Sequence, residues 1–203
     1  HYNPAYKLSV FHLGMGCGKT AQTIDYLKNS DDAFIWIGHR RSLHTGTYQR
    51  MVDAGITCVD YQLGNSSTKP MLYGAAKKLS ICMHSLTHMP PTKTFETVVI
   101  DEIESILDQF IGNFMDENNT KLQVLNSLVG LVRHARKVIV LDAFITNRTI
   151  SFFRNIDPSI TIDYIHKPVA FDNTIVFKNF LKDMDDDYEG GGGWDDKKYS
   201  AIN

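Results

Sequence analysis

The 203-residue sequence predicts a three-layer α/β fold with a mainly parallel sheet. Short apolar runs alternate along the chain with segments whose apolar residues recur at helical spacing. Polar residues follow these runs directly, in particular after Leu13, Gly38, Met83, Ile100 and Leu141. Because ligands bind at the carboxyl ends of parallel strands, these polar clusters predict one shared site.

The predicted strands are the apolar or β-branched runs, which span Lys7–Leu13, Ala33–Gly38, Thr57–Tyr61, Leu79–Met83, Thr97–Ile100, Lys137–Leu141, Thr161–His166 and Thr174–Phe180. Helical periodicity predicts one helix after the first strand and others over Ser42–Ala54, Ile103–Phe114, Leu122–Ala135 and Asn147–Ile156. Gly, Ser and Asn residues make Leu63–Pro70 a predicted loop.

The composition is that of a globular domain with a sizeable core, since 43% of the residues are apolar and 22% are charged. The formal net charge is only −2, so any contact with nucleic acid would depend on a local basic patch. Cys17, Cys58 and Cys82 lack CxxC spacing, which argues against a disulfide framework or a zinc site and favours a reducing compartment.

The sequence contains no apolar run of the roughly 20 residues that a membrane span requires. Its first residues lack the basic and then apolar layout of a signal peptide. We therefore expect a soluble protein of a reducing intracellular compartment, cytoplasm or nucleus, without a membrane partner.

The stretch Lys7–Thr20 joins a predicted strand to a glycine-rich turn ending in Gly-Lys-Thr, and an amphipathic helix follows. This is the order of a phosphate-binding P-loop, in which glycines let N–H groups curl around a phosphate at a helix N-terminus. The alternative is an ordinary glycine turn with a solvated lysine, since Leu13 stands where the general pattern has glycine. The predicted nucleotide-binding residues are Gly14, Gly16, Cys17, Gly18, Lys19, Thr20 and Ala21.

A second stretch, Val98–Glu104, places Asp101 and Glu102 at the end of a β-branched run, as in a Walker B motif. Asp101 would bind Mg²⁺ together with Thr20, and Glu102 would polarise the water that attacks the γ-phosphate. The alternative is a plain helix N-terminus, where the macrodipole favours acidic residues. Together with the upstream glycine loop, the motif predicts ATP hydrolysis with Glu102 and Lys19 as catalytic residues.

Five motifs occur in order along the chain, namely MGCGKT (15–20), GHRRSL (38–43), MHSLTHM (83–89), DEIES (101–105) and LDAFITNRT (141–149). This set resembles the first, RecA-like motor domain of superfamily 2 helicases, and most of all the herpesvirus origin-binding protein family. The resemblance spans Lys7 to about Ile156. The chain has His84 and Phe144 where the family pattern has acidic residues.

The resemblance implies further roles for residues at the strand ends. Those implied to contact a single nucleic-acid strand are His39, Arg40, Arg41, Ser42 and Ser85. Asp142 and Ala143 would couple the state of the nucleotide to that strand. Adjacent arginines at a strand end also suit sequence-independent binding of phosphate oxygens, although a solvated basic helix start is the alternative.

The implied function is that of an ATP-dependent helicase or translocase of viral DNA replication, with ATP and Mg²⁺ as cofactors. Residues 1–181 would be the ATP-binding half of the motor, and the acidic, glycine-rich residues 182–203 a linker or the start of a second domain. The expected partners are single-stranded nucleic acid, with DNA favoured, a second RecA-like domain and other replication proteins. The second domain would supply arginines, so we expect this chain alone to hydrolyse ATP slowly.

Two other functions are compatible with a glycine-rich phosphate loop. A small P-loop kinase would transfer the phosphoryl group to an acceptor instead of water. A degenerate, non-catalytic module would keep the fold for docking nucleic acid or protein, and Leu13 is the residue that favours it. The presence of Lys19, Thr20, Asp101 and Glu102 argues against the degenerate module.

Overall fold

Seven parallel strands form a single sheet in the order β3-β4-β2-β5-β6-β1-β7 in the part of the chain that the structure describes. The structure is a computed structural model, and it describes residues 5–111 and 120–167. The strands are β1 (Leu8–Leu13), β2 (Phe34–Gly38), β3 (Val59–Asp60), β4 (Lys78–Cys82), β5 (Thr97–Asp101), β6 (Lys137–Asp142) and β7 (Ile162–Lys167).

Helices cover both faces of this sheet and complete the three layers. They are α1 (Lys19–Lys28), α2 (Arg41–Asp53), α3 (Lys69–Ala75), α4 (Ile103–Ile111), α5 (Thr120–His134) and α6 (Asn147–Ile156), with a 3₁₀ helix over Met83–His88. The predicted α/β fold with a mainly parallel sheet is therefore confirmed.

Two separate apolar clusters show how the sequence produces the layers. Side chains alternate across a strand, so Leu8 and Val10 of β1 pack in one cluster and Phe11 and Leu13 pack in the other. The first cluster includes residues of α3 to α6, and the second includes residues of α1 and α2. Burying each large apolar side chain contributes about 1.5–3 kcal/mol, which makes this alternation the main stabilising pattern.

The observed elements agree with most of the predicted ones. The main difference is α3, because its seven residues are too few for a periodic pattern and include Pro70 and Gly74. It is stabilised by the fully buried Tyr73, whose hydroxyl donates a 3.0 Å hydrogen bond to the carbonyl of Tyr61. The predicted strand Thr174–Phe180 and the domain boundary at residue 181 lie outside the described residues.

Cys17, Cys58 and Cys82 are free thiols, as their spacing predicts. Burial raises the pKa of the Cys58 thiol to about 11, which keeps this cysteine protonated and unreactive at neutral pH. None of the helices in the described ranges is long and apolar enough to span a membrane.

Candidate functional site

The glycine-rich turn connects the end of β1 to the start of α1, as the P-loop pattern predicts. Gly16 and Gly18 both have φ of +77°, a left-handed backbone that residues with a Cβ rarely adopt. The first N–H groups of α1, on Lys19, Thr20 and Ala21, have no acceptor among the described residues. Donors directed away from the helix in this way can bind an anion.

The side chain of Lys19 folds back over the glycine-rich turn. Its ammonium group donates hydrogen bonds to the carbonyl oxygens of Leu13 and Gly14, the second at 3.0 Å. Lys19 is half-buried, and the Thr23 hydroxyl donates to its carbonyl at 2.9 Å, which ties the start of α1 together. The one cationic side chain of the turn therefore lies on the glycine-rich turn itself.

Asp101 and Glu102 end β5 and precede α4 directly. Glu102 is the only non-glycine residue with positive φ in the described part of the chain, at 57°, which costs about 1–3 kcal/mol. Its N–H donates to the carbonyl of Leu141 at 2.8 Å, and its carbonyl accepts from the N–H of Ile106 at 3.1 Å. The backbone is thus fixed on both sides, whereas the carboxylate remains 42% exposed.

Both acids have raised pKa values. Burial raises the pKa of Asp101 to about 7, the charges of Glu102 and Asp142 add to this effect, and the ammonium of Lys19 opposes it. Burial and the charge of Asp142 also raise the pKa of Glu102, while Arg40 and Lys19 lower it. Lys19 therefore acts electrostatically on both carboxyl groups, as the predicted shared site requires.

The donor set fits a divalent cation held together with phosphate oxygens. Asp101 offers carboxylate oxygens whose ionised form is disfavoured by burial, so a nearby cation would stabilise that form. The described residues contain no group of three or more His, Cys, Asp or Glu that could hold a metal by itself. Mg²⁺ does not require such a group, because it usually keeps waters and takes phosphates beside one or two protein ligands.

Asp142 connects the end of β6 to the start of α4. Its Oδ2 atom accepts a 2.9 Å hydrogen bond from the N–H of Glu104, and its Oδ1 atom accepts the N–H of Phe144 at 3.0 Å. Asp142 is 8% exposed, and Ala143 lies in the turn between Asp142 and Phe144. Asp142 therefore links the turn after β6 to the segment that bears the two acids.

A buried carboxylate that the sequence analysis did not select, Glu104, connects α4 to α6. Its Oε1 atom accepts hydrogen bonds from the N–H and hydroxyl of Thr146, at 2.7 and 2.9 Å, and from the Thr149 hydroxyl at 2.6 Å. Its Oε2 atom accepts from Nη2 of Arg148 at 2.6 Å. The available sequence signal was the polar run Thr146–Thr149, since its Thr146, Arg148 and Thr149 all carry donors that can reach an acid on a neighbouring helix.

Arg148 also pairs with Asp108 of α4 through an Nη1–Oδ1 distance of 2.6 Å. Glu104 and Asp108 lie one helical turn apart, so a single guanidinium bridges both carboxylates. The result is a second contact between α4 and the segment after β6, in addition to the one made by Asp142.

The residues implied to contact nucleic acid differ in their placement. Arg40 and Arg41 are exposed at the end of β2, where they can reach a ligand. The His39 ring is instead buried next to Glu102 and Gln109. Ser85 is half-buried and hydrogen bonds to the hydroxyl of Tyr73, whose pKa burial raises to about 12. The side chain of Ser42 lies outside the described part.

A cavity of about 440 Å³ lies elsewhere, between α5 and the segment after the 3₁₀ helix. Its lining includes Pro90, Lys93, Asn126 and His134 and none of the predicted site residues. The candidate site therefore lies at the exposed carboxyl ends of the strands and not in this cavity.

The sheet order, the glycine-rich turn after β1 and the acid pair that ends β5 define the class of protein, a RecA-like domain with the fold of helicase domains. The fold is similar to that of an archaeal protein titled a hypothetical ATP-dependent RNA helicase, from Sulfolobus tokodaii, with a TM-score of 0.58 and 12% identity over 79% of this chain and 48% of that one. A DEAD box protein from Methanococcus jannaschii gives a TM-score of 0.53 and 10% identity, covering 79% of this chain and 45% of that one.

The family model of origin of replication binding proteins matches residues 2–174, and this chain belongs to that family. It is 24% identical over 180 residues to the replication origin-binding protein of human herpesvirus 6A, covering 86% of this chain and 22% of the relative. It is also 27% identical over 172 residues to a protein of Acanthamoeba polyphaga mimivirus that is provisionally named a replication origin-binding protein. This match covers 82% of this chain and 22% of the relative. The chain therefore spans about a fifth of the length of these relatives.

Proposed function

We propose that this chain is the ATP-binding half of a helicase motor that acts in viral DNA replication. The observation that carries the proposal is the shared strand-end site, in which Lys19 of the glycine-rich turn acts electrostatically on both Asp101 and Glu102. Family membership supports the replication role, since the herpesvirus and mimivirus relatives are named for binding replication origins.

In this proposal the glycine-rich turn binds the triphosphate of ATP. The N–H groups of Lys19, Thr20 and Ala21 donate to phosphate oxygens, and the Lys19 ammonium leaves its two carbonyl partners to contact the same group. Gly14, Gly16, Cys17 and Gly18 form the backbone of the cradle. Lys19 thus exchanges neutral acceptors for charged ones, which gives stronger hydrogen bonds.

Thr20 and Asp101 would hold Mg²⁺, the hydroxyl and the carboxylate being the oxygen ligands that it prefers. When bound with ATP, magnesium supplies positive charge that neutralises the phosphate oxygens. Glu102 is the proposed general base, which orients a water for attack and takes up its proton. Its pKa is raised by burial and by Asp142, so the carboxylate is a stronger base than an ordinary exposed glutamate.

Arg40 and Arg41 are proposed to bind the phosphates of a single DNA strand across the ends of β2 and β4. Asp142 and Glu104 would then couple the two sites, because both fix the start of α4 immediately after the acids. A second RecA-like domain, which would complete the nucleotide site with arginines, belongs to the same proposal, as do residues 182–203 as its linker.

The experiment that tests the proposal is ATP hydrolysis by the chain with and without single-stranded DNA, with ADP and inorganic phosphate as products. We expect slow turnover that Lys19→Ala and Glu102→Gln abolish. Transfer of phosphate to a nucleoside acceptor would instead support a P-loop kinase. Turnover that both substitutions leave unchanged would overturn the proposed site, and an absence of nucleotide binding would favour the non-catalytic module.

A further inference from the structure

The ring of His39 faces the proposed general base. His39 is 8% exposed, and its Nδ1 atom lies 3.7 Å from Oε2 of Glu102, just beyond hydrogen-bond distance. Gln109 hydrogen bonds to Nε2 of the ring through its amide nitrogen. Because the amide nitrogen of Gln109 can only donate, we assign Nε2 as the acceptor and place the proton of the neutral ring on Nδ1, facing the carboxylate.

The Nδ1 atom of His39 and the Glu102 carboxylate face each other without a closer hydrogen-bond partner among the described residues. The Nδ1 atom of His39 is buried without a hydrogen-bond partner among the described residues. The Glu102 carboxylate likewise has no hydrogen bond to them, although its backbone is fixed at both the N–H and the carbonyl. The orientation of this carboxylate therefore depends on side-chain torsions and on the nearest ring, which is that of His39.

The strand order shows that His39 and the glycine-rich turn lie on opposite sides of Glu102. β2 lies beside β5 on one side, whereas β6 and then β1 lie on the other. With strands about 4.8 Å apart, the glycine-rich turn after β1 is two strand spacings from Glu102, away from β2. The contact with His39 thus draws the carboxylate away from the phosphate loop.

His39 is also next in the chain to the exposed arginines. Arg40 ends the segment between β2 and α2, and its carbonyl accepts the N–H of His44 in the first turn of that helix. The carbonyl of His39 accepts a 3.4 Å hydrogen bond from the Cys82 thiol of β4. A strand bound at Arg40 and Arg41 would act on the backbone that positions the His39 ring.

We propose that His39 is a positioning residue that holds the Glu102 carboxylate in a resting orientation until single-stranded nucleic acid binds at Arg40 and Arg41. Binding moves the ring and lets the carboxylate turn toward the nucleotide. This inference rests on the proposed ATP hydrolysis, and it changes the role of His39 from a direct contact with nucleic acid to a link between the two sites.

Two substitutions distinguish the roles of the two ring nitrogens of His39. Asparagine places an amide nitrogen, a donor, where histidine has Nδ1, and glutamine places its amide oxygen, an acceptor, near the position of Nε2. His39→Asn therefore keeps a donor facing Glu102, whereas His39→Gln keeps only the contact with Gln109, and His39→Ala removes both. The readout is single-turnover ATP hydrolysis by the full chain, with oligo-deoxythymidylate as the nucleic acid and urea unfolding as the check of folding.

We expect His39→Ala and His39→Gln to raise the rate without DNA by roughly two- to fivefold, the effect of losing one weak contact from a neutral N–H donor. The rate of these two variants at saturating DNA should stay the same. Their stimulation ratio, the rate at saturating DNA divided by the rate without DNA, should therefore fall by that factor, whereas His39→Asn should stay near the wild-type ratio. An equal fall of the rates with and without DNA would overturn the inference. So would a stimulation ratio that is lost in His39→Asn but kept in His39→Gln.

The failure of the inference is distinguishable from that of the proposed function. If Glu102→Gln turns over at the wild-type rate, the hydrolytic site itself is wrong. If Glu102→Gln is inactive but the wild-type chain shows no DNA stimulation, or all three His39 variants keep the wild-type ratio, only the role of His39 is wrong.

Discussion

The Oδ2 atom of Asp142 accepts a 2.9 Å hydrogen bond from the backbone N–H of Glu104, the second residue of α4. The other carboxylate oxygen accepts the N–H of Phe144. One buried side chain thus joins the turn after β6 to the backbone that follows Asp101 and Glu102. This contact connects the proposed coupling segment to the backbone that follows the proposed catalytic acids.

The first prediction concerns this contact. Asp142→Asn keeps the shape of the side chain but leaves one acceptor oxygen, and its NH₂ group would face a backbone N–H. We expect the free energy of unfolding to fall by about 1–3 kcal/mol in urea denaturation. The control is Asp31→Asn, at an exposed position that has no hydrogen bond or ion pair with the described residues. A loss no larger than the roughly 0.5 kcal/mol of a surface substitution would contradict the role of Asp142.

The second prediction concerns the ammonium of the glycine-rich turn. Lys19→Ala should weaken binding of a fluorescent ATP analogue by about 10- to 100-fold, because hydrogen bonds to charged groups contribute about 1.5–3 kcal/mol. Lys28→Ala removes an exposed lysine from the last turn of the same helix and should leave the affinity unchanged. Equal affinities of the two variants would rule out a phosphate contact by Lys19.

The third prediction separates binding from hydrolysis. Glu102→Gln preserves the shape of the side chain but cannot accept a proton, so turnover should fall by about 100-fold or more while ATP affinity is retained. Single-turnover hydrolysis and a nucleotide titration on the same preparation give both quantities. A parallel loss of affinity and rate would instead indicate that the substitution disturbs the strained backbone at this residue.

The fourth prediction concerns the basic end of β2. Replacing Arg40 and Arg41 together by alanine should weaken binding of single-stranded DNA and reduce the slope of log affinity against log salt by about 1.4, which is about 0.7 for each phosphate contact. Arg50→Ala, at the other end of α2, serves as the control because Arg50 is exposed there. A salt slope that the double substitution leaves unchanged would exclude phosphate contacts at these residues.

The fifth prediction is a pH dependence that comes from Glu104. Burial by itself raises the pKa of this carboxyl, but hydrogen bonds from Thr149, Thr146 and Arg148 outweigh burial and bring the pKa below its ordinary value. A carboxyl with a lowered folded-state pKa stabilises the fold above the unfolded value of about 4.3 and loses this contribution as pH falls through the folded value.

The free energy of unfolding should therefore decline from about pH 5 downward, and Glu104→Gln should decline less steeply over the same range. At neutral pH the substitution should cost about 3 kcal/mol, because it leaves part of a buried charge network without its partner. The measurement is urea unfolding at several pH values. Parallel curves for the two proteins would show that another carboxyl governs acid unfolding.

Local sequence patterns were sufficient to predict the order of the elements. The helix over Asn147–Ile156 agrees with its predicted bounds, and β5 and β6 each extend one residue beyond their predictions. These elements are periodic or β-branched over enough residues for the pattern to be distinct. The short helix α3 was not predicted, since it depends on the tertiary packing of Tyr73 and not on a repeat.

The sequence by itself determined the residue chemistry of the candidate site, because a glycine-rich turn before a helix and an acid pair after a strand are local patterns. Only the tertiary structure decided which side chains meet. Glu104 bonds residues 42–45 positions away, and His39 turns inward to Glu102 while Arg40 and Arg41 face outward. The reason is that neighbours at a sheet edge are set by strand order, and no local pattern encodes that order.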